Sequence, residues 1–331
     1  MKVRFLPLAV LALASLFAAT APAKRVPLSP VPFRGWSEAY VLHNDRIHAV
    51  VVPAISRLVF LAPSADAANL LRLDDAMADA GALPPDPATD PGFFDIGGDW
   101  AWPVARSNWP SFSPNGSDRP PPPALADGPS EVEAWRDRFG NQHVVLTRRY
   151  PGPVHATLTR EFFVTAHGPL GCNQTLRYTG PVEETGCTIR PLALCHVSQV
   201  AFPDKIHFPV PAADYTPTVL SGTLPDGALS VQTGDMCGGS VSDATFTPPP
   251  SSEVTLSLPV PSLSATTPNG FFLVSSSSPA YPVHAELHSN TGLGCAGLGT
   301  LGDSTARLAD FPLSNTLTYI VHPAASPAQT P

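Results

Sequence analysis

Residues 142–150 read QHVVLTRRY and residues 154–165 read VHATLTREFFVT. Both runs are rich in valine, threonine and phenylalanine, which favour strands, and turn residues separate them. The pairs Arg148-Arg149 and Arg160-Glu161 interrupt the apolar pattern as solvent-facing positions would. This stretch therefore predicts two successive β-strands with those four charged side chains in solvent.

Similar runs lie on both sides of this stretch. We predict further strands at Ser37–Leu42, Ile47–Pro53, Leu58–Leu61, Glu131–Trp135, Cys172–Tyr178, Ile189–Val200, Ala228–Gln232, Val254–Leu258, Gly270–Ser275, Val283–His288 and Thr316–His322. Many short strands without alternating helices favour a sandwich or a barrel over a parallel sheet. The sequence predicts an all-β protein whose mature chain, residues 24–331, forms one large domain, a sandwich or a barrel.

Two segments interrupt this series of strands. Residues 70–80, LLRLDDAMADA, predict a short helix that Gly81 and Pro84 would end. Residues 84–129 form the longest irregular stretch, with three tryptophans and the run Pro120–Pro123. A loop this long is usually functional or disordered, and its aromatic content argues against disorder. We therefore expect a Trp- and Pro-rich functional loop at about residues 84–129.

The N-terminus has the pattern of a secretory signal peptide. Lys2 and Arg4 precede an uncharged apolar run, which ends in the small residues Ala21 and Ala23 just before Lys24. The run is shorter than the roughly 20 residues needed to span a bilayer. We expect residues 1–23 to be removed, leaving a periplasmic or secreted protein that is not inserted in the membrane.

This prediction fixes the start of the mature chain. The exported protein should begin at Lys24 or within a residue or two of it, which N-terminal sequencing of the mature form measures. Recovery of folded, exported protein that still carries Met1 would contradict it.

Charge and cysteine content narrow the function further. The formal net charge is −8 and the sequence has no basic cluster, which argues against nucleic acid as a partner. The five cysteines (Cys172, Cys187, Cys195, Cys237 and Cys295) form no metal-binding or nucleophile motif. In an oxidising compartment we expect one or two disulfides and at least one free thiol.

Several segments together resemble a known family. They are Asn44–Ile47, Val51–Arg57, Asn69–Leu71, the GGDWAWP segment at Gly97–Pro103, the later four-proline run, and Cys195–Val200. In this order they resemble an uncharacterised bacterial family, the domain of unknown function numbered 4380, which is similar to aldose epimerase (galactose mutarotase). The resemblance implies a large antiparallel β-supersandwich with a sugar site on a concave face.

The chain departs from that family near its C-terminus. Such proteins carry an acidic pair in a stretch like Y-x-E-L-E-T-L-G, and the mutarotases use a glutamate in a comparable late strand as general base. Here the matching stretch is CAGLGTLG at Cys295–Gly302, with glycines at the acidic positions. The resemblance therefore implies a sugar-binding protein with little or no epimerase activity.

The segment Gly97–Trp109 contains the residue types of a sugar site. Trp100, Trp102 and Trp109 could stack on sugar rings, and Asp99 could accept hydrogen bonds from hydroxyls. The two glycines would let the backbone approach a ligand. The structural alternative is that the tryptophans plug the end of the sandwich. As a loop carboxylate, Asp99 is expected to contribute little to stability.

Two further residues complete the predicted site. His196 shares one strand face with Ser198 and could act as a general acid, or it could be a hydrogen-bonded histidine on a half-buried strand. Arg57 could bind a hydroxyl or carboxylate, or form a structural ion pair. His284 and His288 lie on one strand face with Glu286, but without a fourth ligand nearby we expect no metal and no cofactor.

These observations leave three classes of function open. The first is an exported carbohydrate-binding sandwich, noncatalytic or weakly catalytic. The second is a sugar epimerase or other carbohydrate-active enzyme that uses His196 with a carboxylate. The third is a structural module of the cell envelope. A carboxylate next to His196 across a cleft would favour the second class, and a filled sandwich the third.

Overall fold

The structure of the protein is a computed structural model. It describes residues 25–85, 94–113, 116, 122–181, 192–201, 203–210, 214–236, 239–248, 253–258, 262–277, 283–290, 295–302 and 311–324. The predicted signal peptide therefore lies outside the described residues. Within them, no helix has both the length and the apolar character needed to cross a membrane.

Two antiparallel sheets dominate the structure. In spatial order, the strands of the ten-stranded sheet are β13 (Thr218–Gly222), β16 (Glu253–Leu258), β19 (Val283–Asn290), β20 (Cys295–Gly302), β11 (Leu192–Ala201), β6 (Asp99–Val104), β5 (Arg57–Ala62), β4 (His48–Val52), β3 (Trp36–His43) and β2 (Val31–Phe33). Those of the eleven-stranded sheet are β1 (Val26–Pro27), β7 (Glu131–Arg136), β8 (Gln142–Tyr150), β9 (Ala156–Val164), β10 (Leu170–Tyr178), β21 (Leu313–Pro323), β18 (Gly270–Ser277), β17 (Ser262–Thr267), β12 (Lys205–Val210), β15 (Gly239–Phe246) and β14 (Leu229–Met236).

The two sheets pack face to face around one main apolar core. Leu42, Leu58 and Val200 of the ten-stranded sheet lie in the same cluster as Phe162 and Phe272 of the eleven-stranded sheet, and all five are buried. The strict alternation of buried and half-buried residues along β9 is typical of a strand with one face on such a core. The prediction of an all-β, sandwich-like fold is confirmed.

Helical structure is sparse in the described part of the chain. It comprises the helices α1 (Asp75–Asp79) and α2 (Pro123–Ala126) and the 3₁₀ helices Pro53–Ile55 and Arg106–Ser111. The predicted helix over residues 70–80 is thus wrong in its first half. Leu71 and Leu73 form bridges with Val200 and Gly97, so sheet pairing overrides local helix propensity until Asp74 caps α1.

The predicted loop at residues 84–129 is also wrong at its centre. Strand β6 lies in the middle of the ten-stranded sheet, between β5 and β11. Pro103 has no N–H for the ladder, and the register between β6 and β11 shifts beside it, between Leu192 and Cys195. A bulge therefore lets a proline-containing segment serve as a central strand.

Candidate functional site

The structure places all six predicted site residues in the interior. Asp99, His196 and Arg57 have no exposed surface, and the three tryptophans are 3–6% exposed. They form two groups on opposite faces of the ten-stranded sheet. Asp99 and His196 point into the sandwich, whereas Arg57, Trp100 and Trp102 lie on the opposite, outer face. Segments 94–97 and 122–127 contact that face, and Trp109, on the 3₁₀ helix after β6, packs against Trp102.

Asp99 is the centre of a polar network between the sheets. Its Oδ2 accepts hydrogen bonds from His196 Nε2 at 2.5 Å, Ser198 Oγ at 2.5 Å and Tyr319 Oη at 3.0 Å. Its Oδ1 pairs with the guanidinium of Arg160 on the opposite sheet. The network therefore joins β6 and β11 of one sheet to β9 and β21 of the other.

The charges within this network decide the ionisation of Asp99. Burial alone would raise its pKa, but the charges of His196 and Arg160 and hydrogen bonds from His196 and Ser198 hold it well below the usual range. Burial likewise opposes the charge of Arg160, and Asp99 outweighs that effect and raises its pKa. Asp99 and Arg160 thus form a buried ion pair that is charged at neutral pH.

The chemistry open to this network is limited by its burial. A carboxylate beside an imidazole can exchange a proton, but the side chains of Asp99 and His196 are 0–1% exposed. Ser198 donates to Asp99, so it is not arranged as a nucleophile activated by histidine. Nearby Cys172 is a free thiol whose pKa burial raises to about 12, which makes it unreactive.

Arg57 belongs to a second buried ion pair on the outer face of the ten-stranded sheet. It donates to Asp127 Oδ1 at 2.6 Å, to Gly97 O at 2.6 Å and to Phe94 O at 3.1 Å. Burial lowers the pKa of Arg57 and raises that of Asp127, and their attraction offsets this only in part. Arg57 therefore follows the structural alternative and ties segments 94–97 and 122–127 to the sheet.

The three tryptophans form one packed cluster. The ring centroids of Trp100 and Trp102 are 6.1 Å apart, those of Trp102 and Trp109 are 5.5 Å apart, and Arg57 lies 4.1 Å from the ring of Trp100. Trp109 donates its indole N–H to Val104 O at 3.1 Å. Rings this buried offer no free face to a sugar, so the predicted stacking platforms are core residues in this structure.

Gly97 and Gly98 also serve packing. Both have positive φ, and a Cβ at Gly97 would lie 2.3 Å from the carbonyl oxygen of Arg72. At Gly98 it would lie 2.7 Å from that of Leu58. The glycines do permit a close backbone approach, as expected, but the partner is the chain's own backbone.

Arg72, whose carbonyl oxygen these glycines approach, lines a surface cleft of about 440 Å³, which we call the Arg72 cleft. Its lining includes Phe33, Arg34, Phe60, Arg72, Asp75 and Asn269. The rings of Phe33 and Phe60 are partly exposed and meet edge to face, with centroids 6.1 Å apart. The backbone N–H of Gly98 donates to Arg72 O at 2.8 Å, which connects the cleft to β6.

The charges in the Arg72 cleft are paired. Arg72 donates to Asp95 Oδ1 at 2.9 Å, and Arg34 pairs with Asp75 and Asp79. Asn269 is exposed, and its side-chain amide makes one long contact of 3.5 Å to Asn69 O. Aromatic walls, paired charges and an exposed amide suit an uncharged polar ligand.

The partner residues of both ion pairs are absent from the sequence-based site. The charge pattern predicts Arg160 in solvent, yet it is 3% exposed. The alternation of β9 could have revealed this, because Arg160 falls on the same face as Leu158 and Phe162. No local pattern in the sequence marks Tyr319 or Asp127 as the partner of Asp99 or Arg57.

The histidine pair that resembles metal ligands lies on β19. The side chains of His284, Glu286 and His288 lie outside what the structure describes. Among the side chains that it does describe, no three His, Cys, Asp or Glu residues are grouped to hold a metal ion. The stretch Cys295–Gly302, which has glycines at the positions expected to be acidic, forms β20. In the sheet, Gly299 pairs with Val197, and Val197 pairs with Trp100.

Comparison with known proteins yields similar structures only. No family model and no curated protein matches the sequence. The crystal structure of the Slr1438 protein from Synechocystis sp. PCC 6803 aligns with 92% of this chain and 99% of its own, at 16% identity and a TM-score of 0.51. The crystal structure of HI1317 aligns with 90% of this chain and 100% of its own, at 10% identity and a TM-score of 0.48. The likeness to Slr1438 shows a shared fold.

Proposed function

We propose that this protein is an exported, noncatalytic carbohydrate-binding sandwich that holds an uncharged sugar in the Arg72 cleft. The observation that carries the proposal is the make-up of that cleft: two partly exposed phenylalanine rings beside hydrogen-bonding groups whose charges are paired. Flat apolar surface with a few placed polar groups is what a sugar ring requires. The signal-peptide pattern and the family resemblance support export and sugar binding.

The lack of catalysis has separate support. The carboxylate and the imidazole that an epimerase would use are buried between the sheets, out of reach of a ligand in the cleft. In the late strand β20, the two positions where the resemblance leads us to expect acidic residues are Gly297 and Gly299, which pair with Gln199 and Val197. This strand therefore supplies no carboxylate at those positions. A structural envelope module is the second candidate, because the buried Asp99 network fills the sandwich where the enzyme class needs a cleft.

The sugar proposal predicts a defined loss of affinity. Replacing Asn269 by Ala removes an exposed amide from the Arg72 cleft and should weaken sugar binding by about 0.5–1.5 kcal/mol, roughly twofold to twelvefold. Phe60→Leu keeps apolar volume but removes the ring, and should weaken binding similarly. Calorimetric titration with glucose, galactose, mannose and their disaccharides measures both effects.

Phe139 provides the matched control. It lies on the turn between β7 and β8 and is 71% exposed, so Phe139→Leu should leave sugar affinity unchanged. Melting temperatures establish that all three variants are folded. If none of the sugars binds the wild type, the structural module becomes the better interpretation. If Asn269→Ala and Phe60→Leu both bind like the wild type, the cleft is not the site.

A further inference from the structure

The outer face of the eleven-stranded sheet is a second surface built from hydrogen-bonded polar side chains and stacked aromatic rings. Val144 on β8 and Phe162 on β9 point into the core. Because side chains alternate along a strand, their neighbours on each strand, such as His143 and Glu161, point outward. The polar and aromatic face runs across β7, β8, β9, β10 and β21, which are neighbours in that order. None of the residues in the proposed sugar cleft belongs to it.

One row of this face is linked by three hydrogen bonds, and a longer contact from His143 to Asp137 extends it. Thr316 Oγ1 donates to Asn173 Oδ1 at 2.9 Å, and Asn173 Nδ2 donates to Glu161 Oε2 at 3.1 Å. Glu161 Oε1 lies 3.0 Å from His143 Nδ1, and the other ring nitrogen of His143 lies 3.6 Å from Asp137 Oδ2. These contacts hold an amide, a carboxylate and a hydroxyl in fixed, partly exposed positions.

A neighbouring row is aromatic. Trp135 and His143 pair across β7 and β8 and stack with centroids 5.1 Å apart, and Phe163 follows on β9 at 6.2 Å from His143. Phe163 pairs with Gly171, and a Cβ on Gly171 would lie 2.2 Å from Cζ of Phe163. The ring of Phe163 thus leans across β10 where a side chain would otherwise stand, and it remains partly exposed.

The third row carries hydroxyl side chains on four strands. Thr147, Thr159, Thr175 and Ser314 are cross-strand neighbours on four successive strands. At its edge, Glu131 is paired with Arg149 at 3.1 Å. Glu131 and Glu161 are therefore paired locally, whereas the exposed charges of Glu133 and of Arg25, which lies over the ring of Trp135, stand at the β7 edge of the face.

We propose that this face binds an uncharged glycan chain, with one sugar ring against Phe163 and its hydroxyls on Glu161, Asn173 and Thr316. Neighbouring strands lie about 4.8 Å apart, so five strands offer a track of roughly 19 Å, longer than one sugar ring. A flat aromatic surface beside fixed acceptors and donors meets the needs of a polyhydroxylated ring. This proposal does not depend on the Arg72 cleft, which would bind a monosaccharide or a disaccharide.

The test uses two substitutions that each remove or displace the ring of Phe163. Cellohexaose and mannohexaose are the probes, and polygalacturonate is the charged comparison, with affinities from calorimetric titration or affinity gels. Phe163→Ala should weaken hexasaccharide binding about threefold to tenfold. Gly171→Ala leaves Phe163 in the chain but forces its ring off β10, and should weaken binding similarly. Phe139→Ala, an exposed phenylalanine off the face, should change nothing.

The outcomes separate this proposal from the sugar cleft. Phe60→Leu should leave hexasaccharide binding at Phe163 intact. If Phe60→Leu abolishes it and Phe163→Ala does not, chain binding belongs to the Arg72 cleft and the proposal for the sheet face fails. It also fails if no hexasaccharide binds, if polygalacturonate binds better, or if folded Phe163→Ala and Gly171→Ala both bind like the wild type.

Discussion

Replacing Asp99 by Ala should lower the free energy of unfolding by about 3–5 kcal/mol, because it leaves the guanidinium of Arg160 buried without its counter-charge. Three further donors, from His196, Ser198 and Tyr319, lose their acceptor in the same change. Urea unfolding of wild type and variant measures the difference. This outcome is the opposite of what a loop carboxylate would give.

A second substitution tests the physical reason. In Asp99→Ala with Arg160→Met, no unpaired guanidinium remains between the sheets, so much of the lost stability should return. Coupling between the two substitutions measures the ion pair. If Asp99→Ala unfolds at the same urea concentration as the wild type, or if Arg160→Met gives no recovery, the network is not what joins the sheets.

The same ion pair makes stability dependent on acid. Because the pKa of Asp99 is held below its ordinary value of about 3.9, its contribution is complete above that pH. The contribution is lost as the pH falls from about 4 towards the lower pKa of the folded state. Asp99→Asn removes this titration, so the variant should lose less stability than the wild type over that range.

On the outer face of the ten-stranded sheet, replacing Asp127 should cause the largest loss in the free energy of unfolding. Asp127→Ala leaves the fully buried Arg57 with two carbonyl acceptors and without the carboxylate that it contacts directly, and should cost about 3 kcal/mol. Burial disfavours the charged form of both partners, so the intact pair itself contributes little net stability. Thermal or urea unfolding checks the loss.

The chain offers a matched exposed pair as control. Arg149 and Glu131 are both two-thirds exposed and lie 3.1 Å apart, and Glu131→Ala should have no measurable effect because solvent screens the pair. The double variant Arg57→Met with Asp127→Ala should recover part of the loss. Equal effects of Asp127→Ala and Glu131→Ala would mean that the buried pair does not anchor segments 94–97 and 122–127.

The sequence alone was enough for the class of fold and for many of its strands. Alternation along residues 156–164 determines a strand with one apolar face, and it places Arg160 on that face although the charge suggested solvent. The structural alternatives for Arg57 and His196, an ion pair and a hydrogen-bonded histidine, also follow from the sequence. These are properties of one strand or one residue type, which local chemistry sets.

Only the tertiary structure decided which residues meet. The segment with the tryptophans has the glycines and prolines of a loop, yet it becomes β6, since the glycines fit against the backbones of Arg72 and Leu58. Asp99 and Arg160 are 61 residues apart, and they pair because β6 and β9 face each other across the sandwich. Which strands face each other depends on burying the apolar faces of the whole chain at once, and no local pattern of residues records that outcome.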